Sequence, residues 1–184
     1  MKKTLLTTAL LMSMGAQAAD TPSNQEARQL VKAYMGELKP ALKKGMKNGG
    51  PVNAIDVCHT QAPAIAEALS EKSGWHINRV SLKPRGETAQ PDAWEEEVLE
   101  KFNQKLAEGA NPKKIEFSQT VIVNGEKQYR YMKAIPTGGI CLACHGTDVK
   151  APVKEAIDQH YPNDQAMGYQ KGQLRGAFSF TKSL

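Results

Sequence analysis

Residues 115–134, IEFSQTVIVNGEKQYRYMKA, decide the fold. Asn124-Gly125 separates two runs that alternate between apolar and polar residues, and this dipeptide favours a two-residue turn between antiparallel strands. Such a turn pairs Val123 with Glu126 and therefore Phe117 with Met132. The stretch predicts a β-hairpin whose core face carries the following side chains: Ile115, Phe117, Val121, Val123, Met132 and Ala134.

Helical patterns precede the hairpin. Ser23 and Glu26 form a capping box, and apolar residues then recur every four positions over 30–42. A similar pattern over 92–106 predicts a later helix. Weaker signals predict a strand at 75–82, a short helix at 152–160 and a last strand at 174–181. Helices followed by antiparallel strands indicate an α+β domain.

A further helix begins at Pro51 and ends at Gly74. Its apolar residues lie three or four positions apart and include Cys58, which places that thiol on the inward face. Pro63 lacks the N–H that would bond the His59 carbonyl. We therefore expect the helix to bend just after Cys58 and His59.

The second strand of the hairpin runs into a glycine turn and then into Cys141-Leu-Ala-Cys144-His145. This pattern is the attachment signature of c-type haem. Each of the two cysteines can form a thioether with one haem vinyl group, and the next residue, His145, then becomes the proximal iron ligand. Two alternatives use the same cysteine pair: a zinc site completed by Cys58 and a histidine, or a thioredoxin-like dithiol.

The first residues, MKKTLLTTALLMSMGAQAAD, read as a secretory signal peptide. A positive start, a short apolar run and a small-x-small site predict cleavage after Ala18 or Ala19. The predicted organisation is a signal peptide at 1–19 and one domain at 20–184, located in the periplasm. No later stretch is apolar enough to span a membrane.

The net charge is +5 for the full chain and +3 without Lys2 and Lys3, because 22 basic and 19 acidic residues then remain. This balance is too weak to indicate a nucleic-acid partner. It leaves haem and a periplasmic redox partner of unknown identity as the expected partners. The oligomeric state has no signal in the sequence.

Several segments, taken in order, resemble one family of periplasmic c-type haem proteins with a PAS-like fold. That family was formerly described as a domain of unknown function, and it also occurs as the sensor head of membrane-bound histidine kinases. This chain looks like its stand-alone form. The matching segments are AIDVC at 54–58, APAIA at 62–66, NRVSLKPR at 78–85, PDAWE at 91–95, CLACH at 141–145 and GQLRGAFS at 172–179.

The resemblance implies a PAS-like antiparallel sheet flanked by helices, with one covalently bound haem. It also implies an unusual axial pair, in which His145 binds one side of the iron and the Cys58 thiolate binds the other. Without the resemblance, Cys58 reads equally well as a small buried hydrophobe. Other possible ligands are His59, Met132 and Met167, whereas His76 and His160 are expected at the surface.

The matching segment at 78–85 contains three cations that are candidates to pair with the haem propionates: Arg79, Lys83 and Arg85. The alternative is that they are solvated surface charges. A thiolate ligand stabilises ferric iron and predicts a low reduction potential. The expected function is electron transfer or redox response. Alternatives are a sensor of NO or CO, in which Cys58 is displaced, and a sulfur-compound redox enzyme, although the chain reads more as a carrier or sensor than as an enzyme.

Overall fold

The computed structural model describes residues 22–184. The predicted signal peptide at 1–19 therefore lies outside the described residues. The helices are α1 Asn24–Asp56, α2 Ala62–Ser73, α3 Ala93–Ala107, α4 Leu142–His145 and α5 Ala151–His160, and the strands are β1 His76–Val80, β2 Glu116–Val123, β3 Glu126–Pro136 and β4 Leu174–Ser183. The backbone of α1 is not helical at Gly49 and Gly50, so the helix start predicted at Pro51 is a break within α1. Over the range 22–184, none of the helices has both the length and the apolar character that crossing a bilayer requires.

The hairpin forms as predicted. Val123 pairs with Glu126 and Phe117 pairs with Met132. Asn124 and Gly125 have φ values of 53° and 85°, which is the left-handed conformation that this two-residue turn requires. The four strands form one antiparallel sheet in the order β1-β4-β3-β2. The predicted α+β class is confirmed.

Both faces of the sheet are buried, which corrects the predicted single core face. Tyr131 packs with α1 and α2 on one face, whereas its neighbour Met132 packs with α3 on the other. Ile115 and Ala134 are also buried beside α3, and Phe117 is partly buried there. Val123 is 37% exposed, because the tip of the hairpin extends beyond the helices that cover the sheet.

An ion-pair network holds α3 on its face of the sheet. The capping box of this helix is complete, since the Asp92 and Glu95 side chains each accept from the other's backbone N–H. Both carboxylates also contact the buried Arg130 guanidinium of β3, at 2.7 and 3.2 Å. Ser179 of β4 donates to Glu95 at 2.6 Å. One pair of carboxylates therefore caps the helix and anchors it to two strands.

Where a bend is predicted after Cys58, the structure has instead a π-helical segment, Val57–Gln61, between α1 and α2. The Ala62 N–H donates to the Val57 carbonyl, five residues earlier. Pro63 cannot donate to the His59 carbonyl, so the wider π turn accommodates the missing bond. The buried Tyr34 hydroxyl donates to the Ala62 carbonyl at 3.0 Å and holds this junction against α1.

Glu116 at the start of β2 connects the first helix to the sheet. Its carboxylate accepts from Arg28 of α1, from the Tyr131 hydroxyl at 2.8 Å and from Lys133 at 3.3 Å. The hydrogen bonds from Arg28 contribute most to lowering the pKa of Glu116 to about 2, and burial opposes them. The charged form of Glu116 therefore stabilises the folded state.

We expect Glu116→Gln to reduce the free energy of unfolding at pH 7 by about 1–2 kcal/mol, after discounting for solvent screening. The folded pKa lies below the ordinary value of 4.5, so the stabilisation is present above pH 4.5 and is lost as the pH falls toward 2. Urea unfolding of both proteins at pH 7 and pH 3 measures the difference. The exposed Glu97, changed to Gln, is the matched control. An equal loss at both pH values would contradict the prediction.

Candidate haem site

The Cys-x-x-Cys-His segment follows the end of β3. Register between β3 and β4 shifts after Ile135, and the chain then passes through a 3-10 turn at Gly139–Cys141 into α4. The Thr137 N–H donates to the Gln173 carbonyl at 2.8 Å, and the Gly172 N–H donates back to the Thr137 carbonyl at 2.9 Å. The glycine turn expected before the segment is thus tied at its base to the residues that begin β4.

The end of the segment is fixed by a loop that returns over it. The Tyr169 N–H donates to the His145 carbonyl at 2.9 Å, and the Gly168 N–H donates to the Gly146 carbonyl at 3.0 Å. A Cβ at Gly146 would lie 2.6 Å from the Leu142 carbonyl oxygen. Only glycine therefore fits directly after His145, and the loop holds the histidine backbone in one place.

The His145 ring has a defined orientation. Its Nδ1 lies 2.7 Å from the Ala166 carbonyl oxygen, and only a protonated Nδ1 can donate to that oxygen. In the neutral ring Nε2 then carries the lone pair. Burial, together with the charges of Arg175 and Arg85, lowers the pKa of His145 to about 2. The ring is thus neutral and presents a nitrogen donor, which is the form that binds a metal.

Arg85 connects this segment to the returning loop. Its Nη2 donates to the Cys144 carbonyl at 2.6 Å, and its Nε donates to Asp164 at 3.0 Å. Asp164 also accepts from the Ala166 N–H at 2.8 Å, and its side chain is only 2% exposed. Arg85 was a predicted propionate partner, and the structure places two of its nitrogens in these protein contacts.

Cys58 lies in the π-helical segment and is half-buried. Burial raises the pKa of its thiol, whereas three guanidinium groups, Arg79, Arg85 and Arg175, oppose that rise. The charge of Cys141 also raises the pKa of Cys58, and the charge of Cys58 raises the pKa of Cys144. The structure therefore brings Cys58 into electrostatic range of both cysteines of the Cys-x-x-Cys pair. All three cysteines are free thiols.

The other residues considered as possible iron ligands make contacts elsewhere. Met132 is completely buried beside α3, and the carbonyl of Met167 accepts from Lys83 in the returning loop. His59 is exposed, and its ring stacks on the exposed His160 with centroids 4.6 Å apart. His76 is exposed on β1, as expected.

Arg79, another predicted propionate partner, lies over the Tyr34 ring with its guanidinium carbon 5.3 Å from the ring centroid. Sequence reasoning did not single out Arg175, which lies beside His145 with its Nε 3.2 Å from Nδ1. A charged residue among the apolar residues that begin β4 was the available signal. The Ala166 carbonyl has no side-chain signature and could not have been found from sequence.

One cavity, of about 210 Å³, lies between α3 and β2, and its apolar wall includes Val98, Phe102 and Phe117. None of the predicted site residues lines it. The chemistry-bearing residues instead gather where the end of β3, the π-helical segment and the returning loop meet.

Fold and site together define an α+β protein that holds a Cys-x-x-Cys-His segment shortly after a sheet strand, with a third cysteine within electrostatic range. The chain belongs to the Tll0287-like family, whose model matches residues 4–183. Its fold is similar to the crystal structure of the cyanobacterial haem protein Tll0287, with a TM-score of 0.65 and 23% sequence identity. That likeness covers 88% of this chain and 97% of the other. No curated protein matches this chain.

We expect Asp164→Asn to destabilise the protein by about 3 kcal/mol, because it leaves the Arg85 charge buried without its partner. Chemical denaturation at pH 7 measures the loss. The control is Asp148→Asn, since Asp148 and Lys150 form a solvent-exposed pair whose removal changes stability by roughly 0.5 kcal/mol or less. Equal effects of the two substitutions would contradict a structural role for the Arg85–Asp164 pair.

Proposed function

We propose that residues 20–184 form one PAS-like domain that binds a single c-type haem and acts in the periplasm in electron transfer or redox response. The observation that carries the proposal is the orientation of His145. Its Nδ1–H donates a hydrogen bond to the Ala166 carbonyl at 2.7 Å, which leaves the Nε2 lone pair to bind a metal, and the two cysteines of the same segment form no disulfide. Membership of the Tll0287-like family supports haem as the cofactor.

The residues present fit this group. Cys141 and Cys144 offer thiols for thioether bonds, and His145 and Cys58 offer one nitrogen and one sulfur as axial donors. Ile140, next to Cys141, is 47% exposed and gives an apolar surface beside the attachment point. Within residues 22–184, Arg79 forms no ion pair with a carboxylate, so its charge is available to a haem propionate.

In this proposal the haem supplies reversible one-electron chemistry at its iron. The protein contributes the rest: the returning loop fixes the His145 ring, and the arginines offset part of the rise in the pKa of the Cys58 thiol that burial causes. A thiolate ligand donates electron density and stabilises the oxidised state, so we expect a reduction potential well below that of a cytochrome with His/Met ligation. Expected partners are periplasmic redox proteins.

We expect Cys58→Ala to retain covalently attached haem but to lose the low-spin spectrum of the native protein. Pyridine haemochrome analysis measures attachment, and absorption and EPR spectra measure the axial ligands. The matched control is His59→Ala, the neighbouring exposed residue, which should leave the spectra unchanged. An unchanged spectrum in the Cys58 variant would remove Cys58 from the iron, and native protein without covalent haem would refute the cofactor.

The π-helical segment favours a second candidate, a sensor of NO or CO. Such segments insert an extra residue into a helix and are frequent at functional sites. A change of this segment toward ordinary α-helix would move Cys58 relative to its neighbours and open one axial position.

Mixing the reduced protein with CO distinguishes the two candidates. Rapid binding by the native protein, at a rate similar to that of the Cys58→Ala variant, would support a sensor. Binding by the variant alone would support electron transfer, because the native thiolate then stays in place.

A further inference from the structure

The partly buried guanidinium of Arg175 lies behind the His145 ring, on the side of Nδ1. Its Nε is 3.2 Å from Nδ1, and its Nη1 donates to the Ser81 hydroxyl at 2.9 Å and to the Lys83 carbonyl at 3.3 Å. The Tyr169 ring lies beneath it, 5.6 Å from the guanidinium carbon. These contacts hold Arg175 in position independently of the histidine.

Arg175 and the Ala166 carbonyl compete for the same histidine nitrogen. A guanidinium can only donate hydrogen bonds, and a carbonyl can only accept them. When Nδ1 carries the proton that bonds Ala166 at 2.7 Å, it has no lone pair for Arg175. A positive charge therefore faces an N–H group at 3.2 Å without a hydrogen bond between them.

Among the described residues, Arg175 has no carboxylate partner in an ion pair, whereas Arg85 has one. Arg85 pairs with the buried Asp164 carboxylate at 3.0 Å. In the part of the chain that the structure describes, no carboxylate lies within ion-pair distance of Arg175. Its hydrogen-bond acceptors are the Ser81 hydroxyl and the Lys83 carbonyl, which are neutral, and the Asp164 carboxylate acts on it only from beyond ion-pair distance.

The charge beside the second nitrogen of His145 has the opposite sign to the one usually found beside metal-binding histidines. Histidines that bind metals often donate their second nitrogen to a carboxylate, and the negative charge makes the ring a stronger electron donor. Here the neutral Ala166 carbonyl accepts the hydrogen bond from Nδ1–H, and the Arg175 cation lies next to it. A cation at that place weakens electron donation from the ring and disfavours any state of the site with more positive charge.

We propose that Arg175 is a positioning residue that raises the reduction potential of the haem site by weakening His145 as an electron donor and by opposing the additional charge of the oxidised state. The inference rests on the proposed function, because it requires iron on His145. It also predicts that Arg175 offsets part of the lowering expected from the Cys58 thiolate.

The test is the midpoint potential of holoprotein carrying Arg175→Gln. We expect the ratio of ferric to ferrous protein at a fixed applied potential to rise at least tenfold, which corresponds to a midpoint about 59 mV lower. Arg175→Lys keeps the charge and should stay within threefold of the native ratio. The control is Lys171→Gln, which removes an exposed cation from the segment before β4 and should leave the midpoint unchanged.

An Arg175→Gln midpoint equal to the control, or higher than the native one, would overturn the inference, as would an Arg175→Lys midpoint equal to that of Arg175→Gln. If Arg175→Gln yields no holoprotein, Ser81→Ala provides the test, because it removes the hydroxyl that holds Nη1. A lower midpoint in Ser81→Ala supports the inference and an unchanged one overturns it. Absence of covalent haem in the native protein would instead refute the proposed function itself.

Discussion

The structure depends on β3, which is hydrogen-bonded along both edges and packed on both faces. β2 and β4 flank it, α1 and α2 cover the Tyr131 side, and α3 covers the Met132 side. The Cys-x-x-Cys-His segment follows directly after this strand. Since the strand cannot shift without breaking two ladders and two cores, the cysteines and the histidine start from a fixed point.

The site is assembled from parts of the chain that are far apart in sequence. Arg85 and Asp164 are 79 residues apart, and Arg175 and Ser81 are 94 residues apart. These contacts bring the residues after β1 and those before β4 together around α4. Because β1 and β4 are neighbours in the sheet, pairing of those two strands also draws the site together. The site therefore depends on the tertiary fold and not on one local segment.

The hairpin was predictable because its information is local: one Asn-Gly turn sets the register of every pair that follows. The Cys-x-x-Cys-His segment was predictable for the same reason. The exposure of Val123 was not, since it depends on how far the covering helices reach. Nor was the role of Arg175, because a charged residue in an apolar strand indicates burial but does not name its neighbour. The lost bond at Pro63 allowed either a bend or a π turn, and only packing decides between them.

The π-helical segment fixes how many residues must separate α1 from α2. Each residue of an α-helix turns the chain by about 100°, so the extra residue rotates everything before it relative to everything after it. Ile55 on one side packs against α5, and Ala62 on the other side packs in the sheet core. Loss of one residue here would force one of these two faces into solvent. Relatives of this chain should therefore tolerate substitutions at the exposed positions 59–61 more readily than insertions or deletions in this segment.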